Sequence, residues 1–445
     1  MSFCAKGVFA GNLDINSTIR QTVVVFSVIE LLFGGYFCGI VLLPDKTHRN
    51  MTQKIIKRQT QAIHTQFCRR DAYGAISMPV YDTVAFQFDD AQTMSDAFCG
   101  RIDAPDYSRV ANPTVTFFEN KVKAITGASY VAAFNSGMAA IASTLIALAG
   151  NGKNIVASKH LFGNTFSLIT KSLARFGVEA RICNVTDIEQ IRSKIDRNTC
   201  CVFLEAVSNP QLEVADLQQI AQVAHACNVP LIVDSTAIPF TETHLADFGV
   251  DIELVSSTKY VSGGATSLGG LVIDYGTVDG FHDKIAFEIL FNFGSYMTPH
   301  AAYMQALGLE TLNARYRVQS ANALELAQRL RSLKAIKSVN YIGLPDNQYY
   351  ERAQRQFGAT GGAMLTIDLA DRDACFRFLN RLKLILRATN LFDNKTLAIH
   401  PASTIFGNFS DSQLRDVDVK QTTIRLSVGL EDVDDIFTDI KQALE

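Results

Sequence analysis

The stretch DIELVSSTKYVSGGATSLGGLVIDY, residues 251–275, decides the fold because it places a lysine at the end of a buried strand. Its apolar run Ile252–Val255 is typical of a buried strand, and a short polar turn then presents Lys259. Two glycines follow, before a second short strand at Leu271–Ile273. We therefore expect Lys259 to lie at the lip of a sheet, although most lysines are surface charges and position alone does not give this one a function.

The alternation of strands and helices around this stretch predicts an α/β protein. Five near-continuous apolar runs are predicted as buried strands: Tyr130–Phe134, Asn154–Ser158, Cys200–Glu205, Pro230–Val233 and Ile252–Val255. Helical stretches such as Ser136–Ala149 and Asp216–Cys227 separate them, and this pattern indicates a mostly parallel sheet covered on both faces. After Pro299, a long helix over Gly308–Leu333 and further strand and helix pairs through Ile440 predict a smaller α+β domain.

The composition excludes several classes of function. A chain of 445 residues can form two domains, and a hydrophobic content of 48% with 19% charged residues is typical of a soluble globular protein. A formal net charge of −3 provides no basic excess, so we expect no nucleic-acid partner. The nine cysteines show no CxxC or Cys/His ligand spacing, and we interpret them as reduced thiols of a cytoplasmic protein without a metal site.

Residues 1–50 are interpreted as an extension outside the fold, and a mis-assigned start upstream of Met51 would explain them. Within the extension, Thr22–Leu43 is almost continuously apolar and long enough to span a bilayer, so a membrane anchor is the alternative. Glu30 in the middle of this run argues against the anchor, because a carboxylate is costly there. Gln61–Phe98 is polar and irregular, as expected of an arm that wraps a neighbouring subunit.

The candidate site lies beyond the carboxyl ends of the predicted strands, where ligands bind in open parallel sheets. Ser136 and Gly137 follow a strand and open a helix whose first N–H groups suit a phosphate, although an ordinary helix cap has the same pattern. Asp234 ends another strand and could hold a cationic ring nitrogen or cap the next turn, while Asn209 closes a third. Together with the amine of Lys259, which would form a Schiff base and move protons, these are the parts that a pyridoxal 5'-phosphate (PLP) enzyme needs.

Eight motifs then carry a resemblance to a known family. They are YSRVANPT from Tyr107 onward, FNSGMAA, FLEAVSNP, LIVDST, SSTKYVSGG, GLETLNAR, HPAST and IRLSVGLED. Their order and spacing over residues 61–445 resemble the Cys/Met-metabolism family of PLP-dependent enzymes. The resemblance implies the PLP-dependent transferase fold of the aspartate-aminotransferase type and a homotetramer built from two dimers. It also implies an arm at 51–110, a large PLP-binding domain at 111–298 and a C-terminal substrate domain at 299–445.

The same resemblance implies roles for individual residues. The phosphate would be bound by Gly137, Met138, Ser256 and Thr258. Tyr107 and Arg109 would reach the phosphate of the neighbouring subunit. The ring would be stacked by Phe162, held at its nitrogen by Asp234 and contacted at its phenolic oxygen by Asn209. The substrate would be bound by Arg425 at its α-carboxylate and by Thr396.

Three features of the sequence indicate which members of the family the chain resembles. Most members have a tyrosine where Phe162 stands, so stacking is retained here and a proton donor near the leaving group is lost. Family methionine γ-lyases carry a reactive cysteine at the position of Asn164. The loop 393–397, Asp-Asn-Lys-Thr-Leu, resembles that of O-acetylhomoserine sulfhydrylases, whereas lyases and cystathionine synthases more often have a glutamate in place of Lys395.

These features predict replacement of the γ-substituent of O-acetyl-L-homoserine by sulfide or a small thiol, with homocysteine or methionine and acetate as products. Elimination, as in methionine γ-lyase or cystathionine lyases, is the alternative. A catalytically silent or membrane-tethered relative is a third. Two dipeptides differ from the family pattern: Gly263-Gly264 stands in place of Gly-His, and Ile405-Phe406 in place of Thr-His. The acyl group of the substrate could therefore be acetyl or succinyl.

Overall fold

The computed structural model describes residues 57–65, 71 and 73–445. The predictions for the extension at 1–50, its apolar segment and the start at Met51 lie outside the described residues. Within the described ranges, no helix combines the length and the apolar character needed to cross a bilayer.

A seven-stranded sheet forms the centre of the large domain. Its strands are β1 Tyr130–Phe134, β2 Asn154–Ser158, β3 Glu179–Cys183, β4 Thr199–Glu205, β5 Leu231–Asp234, β6 Ile252–Val255 and β7 Gly270–Asp274. They lie in the order β1-β7-β6-β5-β4-β2-β3. Only β7 runs antiparallel to its neighbours, β1 and β6. The predicted mostly parallel sheet is confirmed.

Both faces of this sheet are buried, which explains why its strands are continuously apolar. In β1, Val131 and Ala133 belong to one hydrophobic cluster, and the alternate residues Ala132 and Phe134 belong to the other. Helices cover both clusters. The α-helices of the described residues are α1 Arg58–His64, α2 Ala91–Phe98, α3 Pro113–Thr126, α4 Gly137–Leu148, α5 Gly163–Ser167, α6 Ile188–Lys194, α7 Leu217–His225, α8 Phe281–Asp283, α9 Leu290–Phe293, α10 Pro299–Glu310, α11 Leu312–Leu330, α12 Tyr350–Phe357, α13 Arg372–Arg381, α14 Asp411–Asp416 and α15 Val433–Leu444.

The smaller domain contains a four-stranded antiparallel sheet. Its strands are β8 Ser338–Asn340, β9 Met364–Asp368, β10 Leu397–Ile399 and β11 Thr423–Ser427, in the order β10-β11-β9-β8. Ile424 and Leu426 of β11 lie in the core of this domain. Arg425 lies between them and pairs with Thr366 across the strands, so its side chain leaves the sheet on the opposite face.

Two local predictions are wrong. The single helix expected over Gly308–Leu333 is two helices, because α10 ends at Glu310 and Thr311 has non-helical angles, φ −103° and ψ 2°. The break is stabilised by Arg315, whose guanidinium donates to the Gly308 carbonyl oxygen at 2.7 Å. The arm that was expected to be irregular contains α2, since the carboxylate of Asp90 accepts the N–H of Thr93 at 2.8 Å and caps its start.

Gly308 allows α10 to pack directly against the backbone that follows Lys259. A methyl group on Gly308 would overlap the carbonyl oxygen of Val261. We predict that Gly308→Ala destabilises the protein by about 2 kcal/mol through this overlap, which corresponds to a loss of about 2 °C in melting temperature for a chain of this length. Calorimetry checks this, with Leu307→Ala on the exposed side of the helix as the matched control. Equal melting temperatures for the two variants would contradict the prediction.

Candidate active site

A cavity of about 980 Å³ lies where β4, β5 and β6 end, between the large sheet and loops of the smaller domain. Of the residues predicted for the site, nine line it: Gly137, Met138, Phe162, Asn209, Asp234, Ser256, Thr258, Lys259 and Arg425. Strand ends from one domain and loops from the other therefore meet in one place, as expected for an open α/β sheet.

The start of α4 forms one end of the cavity. The Ser136 hydroxyl accepts the N–H of Ala139 at 3.2 Å and caps the helix. The first N–H groups of the helix have no carbonyl partner within it, and with the helix dipole they suit an anion. A Cβ on Gly137 would lie 2.7 Å from the Cβ of Ser256, so only glycine lets the helix start this close to the turn before Lys259.

Lys259 is held by the smaller domain. Its amine donates to Oδ1 of Asn390 at 2.8 Å. Burial and, secondarily, the positive charge of Arg425 lower the pKa of Lys259 to about 8 from its ordinary 10.5, while the carboxylate of Asp234 acts in the opposite sense. A lysine with this pKa has a substantial fraction of free amine near neutral pH, which is the form that attacks a carbonyl group.

Two carboxyl groups lie next to each other on neighbouring strands, since Glu205 of β4 pairs in register with Asp234 of β5. Asp234 accepts the N–H of Thr236 at 2.9 Å, and burial raises its pKa despite this bond. Burial and the charge of Asp234 also raise the pKa of Glu205 to about 8. Asp234 thus has a free side toward the cavity, where a cationic group would relieve its desolvation.

Glu205 has a structural role that the sequence analysis missed. Its two carboxylate oxygens accept the backbone N–H of Phe162 at 2.5 Å and of Asn209 at 3.2 Å. One buried side chain therefore fixes two segments of the cavity wall. A lone acid at the end of an otherwise apolar strand is the signal that could have identified it.

Arg425 is almost fully buried, with an exposure of 2%. Its guanidinium donates to Oδ1 of Asn209 at 3.1 Å and to the carbonyl oxygen of Asn390 at 3.1 Å, while Nε has no partner. Burial lowers its pKa to about 9. No carboxylate within residues 57–65, 71 and 73–445 forms an ion pair with it. A buried guanidinium with spare donors and no counter-ion is suited to a carboxylate ligand.

Thr396 is not among the residues that line the cavity, and its role in substrate binding stays a prediction. Its hydroxyl donates to Glu431 at 2.8 Å and accepts the N–H of Gly429 at 2.9 Å. These bonds hold the side chain in the interior of the smaller domain. Motif spacing identified the loop but could not give the direction of each side chain. Its neighbours Asp393 and Lys395 line the cavity instead, as does Asn390.

Tyr107 and Arg109 also lie outside the cavity of their own chain. Tyr107 is 41% exposed, and the guanidinium carbon of Arg109 lies 5.3 Å from the centre of its ring. Arg109 donates to the carbonyl oxygen of Phe291 at 2.6 Å. Their contact with a neighbouring subunit stays a prediction.

Comparisons with known proteins agree with this geometry. A family described as Cys/Met metabolism PLP-dependent enzyme matches residues 59–445. The O-acetyl-L-homoserine sulfhydrylase of Corynebacterium glutamicum is 30% identical over 417 residues, which cover 86% of this chain and 95% of that protein. The L-methionine gamma-lyase of Fusobacterium nucleatum is 35% identical over 390 residues, which cover 87% of this chain and 97% of that protein.

A solved structure from Campylobacter jejuni, described as an O-acetylhomoserine (thiol)-lyase, has a TM-score of 0.85 and 31% identity, and the match covers 87% of this chain and 100% of that one. It contains a pyridoxyl-lysine monophosphate residue. PLP fits the residues present in our chain. The start of α4 offers N–H groups to the phosphate, Asp234 offers a carboxylate to the ring nitrogen, and Lys259 offers an amine of lowered pKa to the aldehyde.

We predict that the protein stripped of cofactor captures PLP at a rate that rises with pH and levels off above about 8, because the lysine must first lose its proton. The growth of the visible absorbance band after mixing measures this rate. Asp234→Asn should move the midpoint to lower pH, since the Asp234 charge raises the pKa of Lys259. Lys259→Ala should show no band. A rate that keeps rising to the ordinary lysine pKa of 10.5 would contradict the prediction.

Proposed function

The chain belongs to the Cys/Met-metabolism family of PLP-dependent enzymes, and we propose that it replaces the acetoxy group of O-acetyl-L-homoserine with sulfide or a small thiol. The products would be homocysteine or methionine and acetate. The relatives include both a sulfhydrylase and a methionine γ-lyase, so family membership alone leaves replacement and elimination as the two candidate outcomes.

The observation that carries the proposal is the lack of a phenol, thiol or imidazole group in the wall of the cavity. Within the part of the chain that the structure describes, no tyrosine, cysteine or histidine side chain lines the cavity, and its aromatic lining residues are Phe162 and Phe392. A thiolate is a strong base and needs a proton as it leaves, whereas acetate leaves as a stable anion. The cavity is therefore better suited to an acyl ester than to a thioether.

The remaining side chains have separate tasks in this reaction. Arg425 would bind the α-carboxylate with two parallel hydrogen bonds, a geometry that lysine cannot provide. PLP, when bound, draws electrons from the substrate Cα and so acidifies the bonds to that carbon. Lys259, released when the substrate amine takes its place, would take the proton from Cα and then one from Cβ. Asp234 would hold the ring nitrogen in its protonated form.

The arm supports a proposal about assembly. Tyr73, Ile76, Val84 and Phe98 of the arm are each at least 60% exposed, and a run of exposed apolar side chains usually marks a protein interface. We therefore place residues 51–110 against a neighbouring subunit of a cytoplasmic homotetramer, where Tyr107 and Arg109 would reach the neighbour's phosphate. Residues 111–298 would bind the cofactor and residues 299–445 the substrate.

Elimination is the second candidate, because the methionine γ-lyase relative shares 35% identity with the chain. An assay with O-acetylhomoserine and sulfide separates the two by measuring homocysteine and 2-oxobutanoate together. Homocysteine as the main product supports replacement. Ammonia and 2-oxobutanoate as the main products, with sulfide present, would overturn it.

We predict that Phe162→Tyr raises the rate of elimination from methionine or cystathionine by about tenfold or more, because the new hydroxyl can protonate the departing sulfur. Replacement on O-acetylhomoserine should change much less, since acetate needs no proton. Steady-state rates with each substrate check this. Phe287→Tyr, at an exposed phenylalanine, is the matched control. Equal effects of Phe162→Tyr on both reactions would contradict the leaving-group argument.

A further inference from the structure

We propose that Lys395 selects the acceptor of the reaction by its charge, favouring the hydrosulfide anion over neutral thiols and disfavouring thiols that carry an ammonium group. The inference rests on the proposed replacement reaction and names the class of its second substrate. Lys395 lines the cavity, and its side chain is exposed at the rim.

The loop that carries Lys395 is fastened to the rest of the protein on its N-terminal side. The carbonyl oxygen of Asp393 accepts Nε2 of Gln319 at 2.7 Å, and its carboxylate accepts the N–H of Lys395 at 3.1 Å. The side-chain amide of Asn394 donates to the carbonyl oxygen of Gly263, in the loop after Lys259, at 3.0 Å. The position of Lys395 is therefore fixed relative to the catalytic lysine.

The C-terminal side of the loop is fastened as well. Glu431 accepts both the N–H of Thr396, at 2.6 Å, and its hydroxyl, at 2.8 Å. The N–H of Leu430 donates to the carbonyl oxygen of Asn394 at 2.8 Å. The backbone of Lys395 is thus held by neighbours on both sides, and both carboxylate oxygens of Glu431 accept hydrogen bonds from Thr396.

No carboxylate of the described residues forms an ion pair with Lys395. The other cations of the cavity, Lys259 and Arg425, are buried and have the tasks assigned above. Lys395 therefore contributes a positive charge at the rim that no ion pair holds, where the second substrate enters. At a solvated position such a charge attracts a monoanion modestly and raises its local concentration.

Hydrosulfide matches this charge. Its sulfur lone pair forms the new bond to the γ-carbon, the electron pair of the broken C–O bond leaves with acetate, and one negative charge is present before and after the exchange. Methanethiol is mostly neutral in mildly alkaline solution and gains nothing from Lys395. Cysteamine, a thiol with an ammonium group and no carboxylate, is repelled by Lys395, which is discrimination by an unfavourable contact.

The test compares Lys395→Gln with the wild type and with Lys383→Gln, a control at an exposed lysine that does not line the cavity. Steady-state kinetics are measured with saturating O-acetylhomoserine and varied sulfide or varied methanethiol. We expect the KM for sulfide to rise about fivefold in Lys395→Gln, with less than a twofold change in the KM for methanethiol. Lys395→Arg should restore the KM for sulfide.

Two further readouts separate a charge effect from a structural one. Added salt should raise the KM for sulfide in the wild type and in Lys383→Gln but not in Lys395→Gln, because salt screens only a charge that is present. Lys395→Glu should increase the use of cysteamine relative to sulfide. Equal losses with sulfide and methanethiol would mean a structural role and overturn the proposal.

The outcomes also distinguish this inference from the proposed function. If the wild type forms homocysteine and the KM for sulfide is unchanged in Lys395→Gln, only the role of Lys395 is wrong. If the wild type forms neither homocysteine nor methionine with the two acceptors, the replacement reaction is wrong and the role of Lys395 falls with it.

Discussion

The burial of charged groups around one cavity is the constraint on which the site depends. Lys259, Arg425, Glu205 and Asp234 are all withdrawn from water, and burial shifts the pKa of each toward its neutral form. Such an arrangement is costly unless ligands complete it. A cofactor with a phosphate and a cationic ring, and a substrate with a carboxylate, supply charges of the required sign at the required places. The charges that make the ligands reactive at this site are thus the same charges that offset the free-energy cost of burying its ionisable groups.

The same constraint joins the two domains. Arg425 belongs to the smaller domain and donates to Asn209 of the larger, while Lys259 of the larger domain donates to Asn390 of the smaller. These two hydrogen bonds cross the cavity in opposite directions. The relative position of the domains at the cavity therefore depends on the polar groups that handle the substrate, and a change at either lysine or arginine reaches both walls.

Sequence reasoning identified the parts of the fold that are buried on both faces. Strands such as Ile252–Val255 matched their predicted bounds because a doubly covered strand leaves an uninterrupted apolar run. It did not identify β3, a strand at the edge of the sheet with a more mixed sequence, Glu179–Cys183. It missed Asn390, which reaches Lys259 across 131 residues of chain through a loop contact with no periodic signature. Sequence reasoning also could not show that the Thr396 side chain points to Glu431, since the direction of a loop side chain depends on tertiary contacts.

The division between buried and exposed residues also suggests where specificity can vary. The buried groups each have a task in holding the cofactor or the carboxylate, and these tasks are shared by replacement and elimination. Changing one of them would impair every reaction of the site. Choice of leaving group and acceptor must then depend on other side chains that line the cavity, such as Asn164 and Lys395, and on the hydroxyl group that Phe162 lacks. A substitution at any of these positions can add or remove a charge or a hydroxyl group without breaking a buried side-chain hydrogen bond. A single fold can therefore support sulfhydrylases and lyases that differ in a few side chains of the cavity, because the buried charged groups that hold the cofactor and the carboxylate stay the same.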